Sequence, residues 1–137
     1  MPTFLAVSGA ANPKETVIDG FDVSPYFTGQ EETCRPQEFL VHFPHQHRNT
    51  LFSTYREKDW KIIYSYATEK WELYNLVEDP LEKDNACNAE PSIALKLART
   101  MVQQLDAQQA QYPVSDETGE EVKPNLSAVS YTHLRAH

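Results

Sequence analysis

The amino-acid sequence predicts an α+β fold, with a four-stranded antiparallel sheet and a C-terminal helix packed on one face of it. The first observation is a series of four short runs, rich in aromatic and β-branched residues, between positions 38 and 76. The second is a longer stretch, 91–111, in which apolar residues recur at helical spacing. A length of 137 residues with 40% hydrophobic residues suits one domain with a modest core.

The four predicted strands are 39–43, 51–55, 60–66 and 71–76. The breaks between them are short, so each strand is expected to pair with the next one in an antiparallel meander. In the third run Ile62 and Tyr64 lie on one face and Ile63 lies on the other. This alternation of large apolar residues indicates a central strand that is covered on both sides.

The predicted helix 91–111 begins at Pro91, because proline fits the first turn of a helix. Its apolar stripe comprises Leu95, Ala98, Val102 and Leu105, widened by Ile93, Leu97 and Met101. Polar side chains occupy the opposite side, as in a helix that lies on a sheet. The Tyr112-Pro113 pair is predicted to end it.

The two ends of the chain differ from this central part. Residues 1–10 form a predicted short helix with Pro2 in its first turn and Gly9 at its end, followed by a polar connection to about residue 36. Residues 114–137 are predicted to form a flexible tail, because the stretch up to residue 127 is acidic and polar. Within it, residues 129–137 resemble a translated sequencing-adaptor read-through of the kind found at the ends of metagenomic reading frames.

Charge and hydropathy exclude two classes of partner. A net charge of −8 gives no electrostatic support for binding nucleic acid or an anionic lipid surface. The longest apolar runs are far shorter than the roughly 20 residues that cross a bilayer. We therefore expect neither a nucleic-acid partner nor a membrane partner.

The stretch from Trp71 to Asn85 carries a recognisable pattern, E-L-Y-N-L-x-x-D-P-x-E-x-x-N, with every fixed position present. Within it, Glu82 and Asn85 are expected to satisfy backbone groups in the loop before the helix. It resembles the signature that closes the C-terminal sheet of sulfatases of the arylsulfatase type, in the alkaline-phosphatase-like superfamily. The segment 55–63 is similar to a family strand in which Lys58 replaces the usual glycine. The segment 2–20 resembles the end of the family's catalytic domain and its exit loop, and the histidine-containing segment 42–48 also recurs in bacterial members.

The resemblance implies a division of the chain and a parent activity. Residues 1–36 would be the end of the catalytic α/β domain and its exit loop, and 37–113 the C-terminal subdomain. The full-length parent would be a periplasmic or extracellular hydrolase of sulfate esters of carbohydrates or aryl groups, dependent on calcium and formylglycine. The family carries its formylglycine, calcium ligands and catalytic residues in the N-terminal domain, so the resemblance assigns no catalytic residue, metal ligand or cofactor to this chain.

The two cysteines, Cys34 and Cys87, could form one disulfide in an oxidising compartment, but both lie in polar, loop-like stretches and we favour free thiols. The segment Cys34-Arg35-Pro36-Gln37-Glu38 has part of the family's formylglycine motif, Cys-x-Pro-x-Arg. Glu38 stands where that motif needs arginine. The segment is therefore not the source of the nucleophile.

The candidate substrate-binding residues are His45, His47 and Arg48, which follow Pro44. A proline that ends the first strand lets the next residues leave the sheet as a loop, where binding residues tend to gather. The planar guanidinium of Arg48 suits a sulfate or a sugar carboxylate. A metal site that includes His42, and a loop with no binding role, are the alternatives.

A different class of function comes from the aromatic residues Tyr64, Tyr66, Trp71 and Tyr74. They would form a sugar-stacking platform if the chain were a non-catalytic carbohydrate-binding module. The alternative is that they form the core of the sheet, which we prefer for Trp71 and for Trp60. A purely structural or oligomerisation element is a third hypothesis.

Overall fold

The computed structural model describes residues 2–11, 13, 20–30, 37–45 and 50–130. The chain forms two compact units, Met1–Gln37 and Glu38–His137. Within the described ranges, no helix has the length and apolar character needed to span a membrane.

The first unit contains two short helices, α1 (Pro2–Ser8) and α2 (Ser24–Phe27). Gly9 takes a φ of 70°, and the Ala10 N–H donates to the Leu5 carbonyl at 2.9 Å. This is the geometry of a Schellman cap, in which a left-handed residue ends the helix. The predicted N-terminal helix and its end at Gly9 are therefore confirmed.

The second unit contains the predicted sheet. Its strands are β1 (Glu38–Phe43), β2 (Phe52–Glu57), β3 (Trp60–Ser65) and β4 (Lys70–Asn75). They pair antiparallel in the order β1-β2-β3-β4, each with its neighbour in sequence. The predicted meander is confirmed, with strand ends within two residues of those expected.

Two tight turns of the sheet use residues other than glycine in the left-handed region. Lys58, between β2 and β3, has a φ of 54°, and Glu69, before β4, has a φ of 52°. A side chain in this region costs on the order of 1 kcal/mol or more. Lys58 is the position at which the family resemblance expects glycine.

A long helix, α3 (Pro91–Ala107), covers one face of the sheet. We call this the helix face; its central row of paired residues is Leu40, Tyr55, Ile62 and Leu73. Tyr55, Ile62 and Leu73 are fully buried there. From α3, the buried residues are Ala94, Leu97, Ala98, Met101 and Leu105. Leu95 and Val102, predicted at the centre of the stripe, are only partly buried at its border.

The helix ends four residues before the predicted boundary. Gln109 takes a φ of 52°, and the Ala110 N–H donates to the Leu105 carbonyl at 3.0 Å. This is the same type of cap as at Gly9, formed here by glutamine. The cap turns the chain so that Ala110 packs against the core.

Residues 112–129, which we call the C-terminal strap, include most of the segment predicted as a flexible tail (114–137) and pack against the core of the second unit. The strap contains an isolated bridge between Val114 and Glu121, and its Asn125 carbonyl accepts a 2.8 Å hydrogen bond from Trp71 Nε1. Val129 is only 2% exposed and belongs to the core. A few apolar side chains in an otherwise polar stretch are therefore enough to anchor it. The strap ends within a short helix, α4 (Ser127–Ser130), and residues 131–137 lie outside the described part.

Candidate functional site

The predicted substrate-binding residues are located only in part. β1 ends at Phe43, Pro44 follows, and the next residue, His45, is exposed. This placement agrees with a chain that leaves the sheet at the proline. His47 and Arg48 lie outside the described residues, so their role as substrate contacts stays a prediction.

His42 points into a polar network at the border of the helix face. Its Nε2 lies 2.7 Å from the Gln111 carbonyl oxygen, which can only accept, so Nε2 carries the hydrogen. In the neutral ring Nδ1 then accepts from the Ser53 hydroxyl at 2.7 Å. The Ser53 oxygen in turn lies 2.7 Å from the Tyr66 hydroxyl. The network links β1 and β2 to Tyr66, just after β3, and to Gln111, just before the strap.

This network argues against the alternative in which His42 belongs to a metal site. Both ring nitrogens of His42 are occupied by protein partners, so neither has a free lone pair directed at a metal ion. Within the ranges that the structure describes, no three histidine, cysteine, aspartate or glutamate side chains are grouped to hold one. In the structure His42 therefore has a structural role, as a hydrogen-bonding residue. The sequence alone did not indicate this role, because the pairing of His42 with Ser53 depends on strand register.

The signature stretch 71–85 comprises most of β4 and the hydrogen-bonded loop that follows it. Asn85 Oδ1 accepts from the backbone N–H of Leu73 and of Cys87 at 3.1 and 3.0 Å, and its Nδ2 donates to the Trp71 carbonyl. The expectation that Asn85 satisfies backbone groups is confirmed. Asp79 Oδ2 accepts in the same way from the N–H groups of residues 83 and 84.

Glu82 has a different role from the one predicted. It was expected to satisfy backbone groups, but its carboxylate accepts two hydrogen bonds from Lys61 Nζ at 2.7 and 2.8 Å. The pair is partly exposed, at 24% for Lys61 and 32% for Glu82. It fixes the loop after β4 against β3.

The face of the sheet opposite α3, which we call the open face, carries a groove of about 440 Å³. Its lining residues are Phe39, Val41, Phe52, Thr54, Arg56, Lys61, Leu76 and Glu82. The floor is apolar, and Arg56, Lys61 and Glu82 provide the charges. The alternation of Phe39, Val41 and Phe43 along β1 is a local sequence pattern that could have indicated this apolar surface.

The aromatic set proposed as a sugar platform is buried. Tyr64, Tyr66, Trp71 and Tyr74 are between 0% and 7% exposed. Tyr64 packs edge-on against Tyr66, with ring centroids 5.2 Å apart, and tilted against Trp71 at 4.7 Å. These rings form core contacts and offer no face to a sugar.

Cys87 is a free, buried thiol. Burial, and secondarily the charge of Glu72, raise its pKa to about 11. At neutral pH almost all of it is protonated, so it is a poor nucleophile. Cys34 lies outside the described residues.

Comparison with known proteins identifies the family to which the chain belongs. The family described as N-sulphoglucosamine sulphohydrolase, C-terminal, matches residues 1–111. No curated protein matches significantly.

Several solved structures share the fold. A protein assigned as a sulfatase from Bacteroides thetaiotaomicron VPI-5482 superimposes with a TM-score of 0.67 at 17% identity, over 93% of this chain and 27% of that one. A 2-O GAG sulfatase gives a TM-score of 0.64 at 16% identity, also over 93% of this chain and 27% of that one.

A third structure, in complex with its substrate D-glucosamine-2-N,6-O-disulfate, gives a TM-score of 0.54 at 25% identity, over 79% of this chain and 22% of that one. The chain thus spans about a quarter of the length of these proteins. From the match over residues 1–111 and the shared fold, the chain belongs to the N-sulphoglucosamine sulphohydrolase C-terminal family of sulfatases.

Proposed function

We propose that this chain is the C-terminal part of a sulfatase whose full-length form hydrolyses sulfate esters, and that this part shapes the substrate cleft without performing the chemistry. The match of residues 1–111 to a sulfatase C-terminal family carries the proposal. The chain corresponds to only 27% of two solved relatives, which leaves room for a separate catalytic domain upstream. Residues 1–36 would be the last part of that domain.

Formylglycine and calcium belong to that upstream domain in this proposal. The residues of this chain do not fit either group, because Glu38 replaces the arginine of the formylglycine motif and the described residues contain no suitable cluster of metal ligands. Ester cleavage is therefore assigned to residues outside this chain.

We propose a sulfated carbohydrate as the substrate, in preference to an aryl sulfate. The family description names sulphoglucosamine, and one similar structure holds a sulfated glucosamine. A sugar substrate presents several anionic and hydroxyl groups, which suits a loop carrying histidines and an arginine. His45, His47 and Arg48 are the proposed contacts, because β1 ends just before them and His45 is exposed.

The test uses the full-length parent, recovered from the coding sequence upstream of Met1. Arg48→Ala should lower kcat/KM for a sulfated glucosamine about tenfold or more, since truncating one partner of a charged contact costs a few kcal/mol when it is buried. Arg99→Ala, an exposed arginine on α3, is the matched control and should leave kcat/KM unchanged. A fall in melting temperature with unchanged kcat/KM would show that Arg48 is a packing residue.

The non-catalytic role has its own test. The purified 137-residue chain should show no hydrolysis of a sulfated glucosamine or of a generic aryl sulfate in the presence of calcium. Turnover above that of a heat-treated sample would contradict the assignment of the chemistry to the upstream domain.

A further inference from the structure

The end of β1 is held by side chains on both faces of the sheet, although β1 is an edge strand. On the helix face, His42 is paired in register with Ser53 and hydrogen-bonded to it at 2.7 Å. On the open face, Phe43 is paired with Phe52, and the two rings stack with centroids 6.0 Å apart. Strand ends that are held only by backbone hydrogen bonds open easily, so these side chains add to what the sheet itself provides.

Further contacts restrict the ring of His42. Its Nε2 donates to the Gln111 carbonyl at 2.7 Å, which connects β1 to the segment after α3. Tyr66 and Tyr112 pack edge-on against the ring, with centroids 6.1 and 5.7 Å away. The ring is therefore held at both nitrogens and by two aromatic neighbours, which fixes its orientation.

The hydrogen bonds continue from His42 into the core of the sheet. Ser53 is 0% exposed, and its oxygen lies 2.7 Å from the Tyr66 hydroxyl. Tyr66 is 5% exposed, and its backbone N–H donates to the Leu51 carbonyl at 3.0 Å. A buried chain of paired polar groups keeps one arrangement, because any other would leave a buried group without a partner. The position of His42 is thereby tied to the core.

His45 lies three residues after His42, and the residues between them have little freedom. Phe43 is held by stacking, and the ring of Pro44 restricts its φ. His45 is exposed, and it is the first residue after the end of β1 whose side chain can form a hydrogen bond with a ligand. A fixed strand end followed by proline therefore gives His45 a defined starting position.

We propose that His42, supported by Ser53 and Tyr66, is a positioning residue that sets where His45 meets a sulfated sugar. This role rests on the proposed function, which makes His45 a substrate contact. Binding residues must keep their places to within about 0.5 Å, so an edge strand is a suitable support only when its end is fixed. The hydrogen-bond chain that starts at His42 fixes it.

His42 itself is not a substrate contact in this assignment. Both of its ring nitrogens are occupied by protein partners. Ser53 and Tyr66 are buried, so neither reaches a substrate, and any effect of changing them on substrate binding must pass through His42.

Two variants of the full-length parent weaken the chain at different points. His42→Phe keeps an aromatic ring but removes both hydrogen bonds of the imidazole, and Ser53→Ala removes one buried hydroxyl. Thr54→Val is the matched control, because it removes the hydroxyl of the next residue of β2, which donates to the Ile62 carbonyl. This hydroxyl has no bond to the end of β1.

The first measurement compares KM for a sulfated glucosamine with KM for a generic aryl sulfate. Ser53→Ala should raise KM for the sugar about fivefold and His42→Phe about tenfold, with kcat changed less than about twofold, because a displaced binding residue weakens ground state and transition state alike. KM for the aryl sulfate, which lacks the sugar, should not change, and Thr54→Val should change neither constant. Equal rises for both substrates, or equal effects of Ser53→Ala and Thr54→Val, would overturn the proposal.

A double variant tests whether the chain acts through His45. His45→Ala should also raise KM for the sulfated glucosamine, and adding Ser53→Ala to it should raise KM by less than about twofold more, because coupled residues are not additive. Full additivity of the two substitutions would contradict the positioning role.

Hydrogen exchange separates a failure of the positioning role from a failure of the proposed function. In the full-length protein, Ser53→Ala should speed exchange of the amides at 41–43 about tenfold relative to Thr54→Val, because the strand end opens more often. Unchanged exchange there would overturn the positioning role even in an active sulfatase. Faster exchange in a protein that hydrolyses no sulfate ester would support the fixed strand end and remove the proposed function.

Discussion

The two faces of the sheet differ in how they are covered. On the helix face, α3 and the strap bury Tyr55, Ile62 and Leu73 almost completely. On the open face, Phe39 and its neighbours line a groove. The helix face therefore supplies most of the stability of the second unit, while the described residues leave a groove on the open face.

The sharpest test of this difference uses two adjacent isoleucines of β3. Ile62 points to the helix face and is 0% exposed, whereas Ile63 points to the open face and is only partly buried. Ile62→Ala should lower the free energy of unfolding by about 3–4 kcal/mol, and Ile63→Ala by about 1 kcal/mol. Chemical denaturation of both variants measures the contrast. Equal losses would mean that the two faces contribute alike.

Substitution of Asn85 tests how much the polar contacts at the border of the helix face contribute to stability. Asn85→Ala removes three hydrogen bonds and leaves the backbone N–H groups of Leu73 and Cys87 without an acceptor, so we expect a loss of about 2–3 kcal/mol. Asn75→Ala removes one exposed hydrogen bond, to the Val77 N–H, and should cost less than about 1 kcal/mol. Urea denaturation would measure both, and a larger effect at Asn75 would contradict this view of the loop.

The buried hydroxyl of Tyr66 gives the helix face a dependence on alkaline pH. Burial raises the pKa of Tyr66 from 10.0 to about 12, although the hydrogen bond with Ser53 opposes the shift. The folded protein therefore holds this proton more tightly than the unfolded chain, and the stabilisation is complete below pH 10 and is lost as the pH rises through 12.

Tyr66→Phe should accordingly reduce the fall in unfolding free energy between pH 9 and 12 by about 1–2 kcal/mol. The comparison is made against the wild-type protein, with each protein referred to its own value at pH 7. Parallel pH profiles would show that Tyr66 ionises freely in the folded state.

The smallest effect on the free energy of unfolding is expected at the turn between β2 and β3, which joins two strands and belongs to neither face in particular. Lys58→Gly removes a side chain from a backbone with a φ of 54° and should raise the free energy of unfolding by about 0.5 kcal/mol. Thermal melting would detect the gain. A clear loss of stability would show that the Lys58 side chain makes a contact that outweighs the strain.

The sequence predicts the regular elements well because their signals are local. Strand alternation and helical spacing depend on a few neighbouring residues, and the meander follows from short connections. The end of α3 was misplaced because Gln109 provides the left-handed cap that glycine usually forms. The packing of the strap was not predicted because its average composition is polar, although Tyr112 and Val129 reach the core.

The candidate site is less predictable for a physical reason. The roles of His42 and Glu82 depend on partners 69 and 21 residues away in sequence, so only the folded chain reveals them. The placement of His45 after β1 follows from Pro44, which is a local signal. The proposed contacts of His47 and Arg48 stay a prediction, because they would involve a substrate and a domain that are not part of this chain.

The meander also has a consequence for the order of folding. Every strand pairs with its neighbour in sequence, so the sheet forms by closing short loops. The contacts of the segment after α3, which includes the strap, are different, because Trp71 bonds to Asn125 and His42 bonds to Gln111 across 54 and 69 residues. We therefore expect the sheet to form early and the strap to close last, so that weakening the strap would speed unfolding far more than it slows folding.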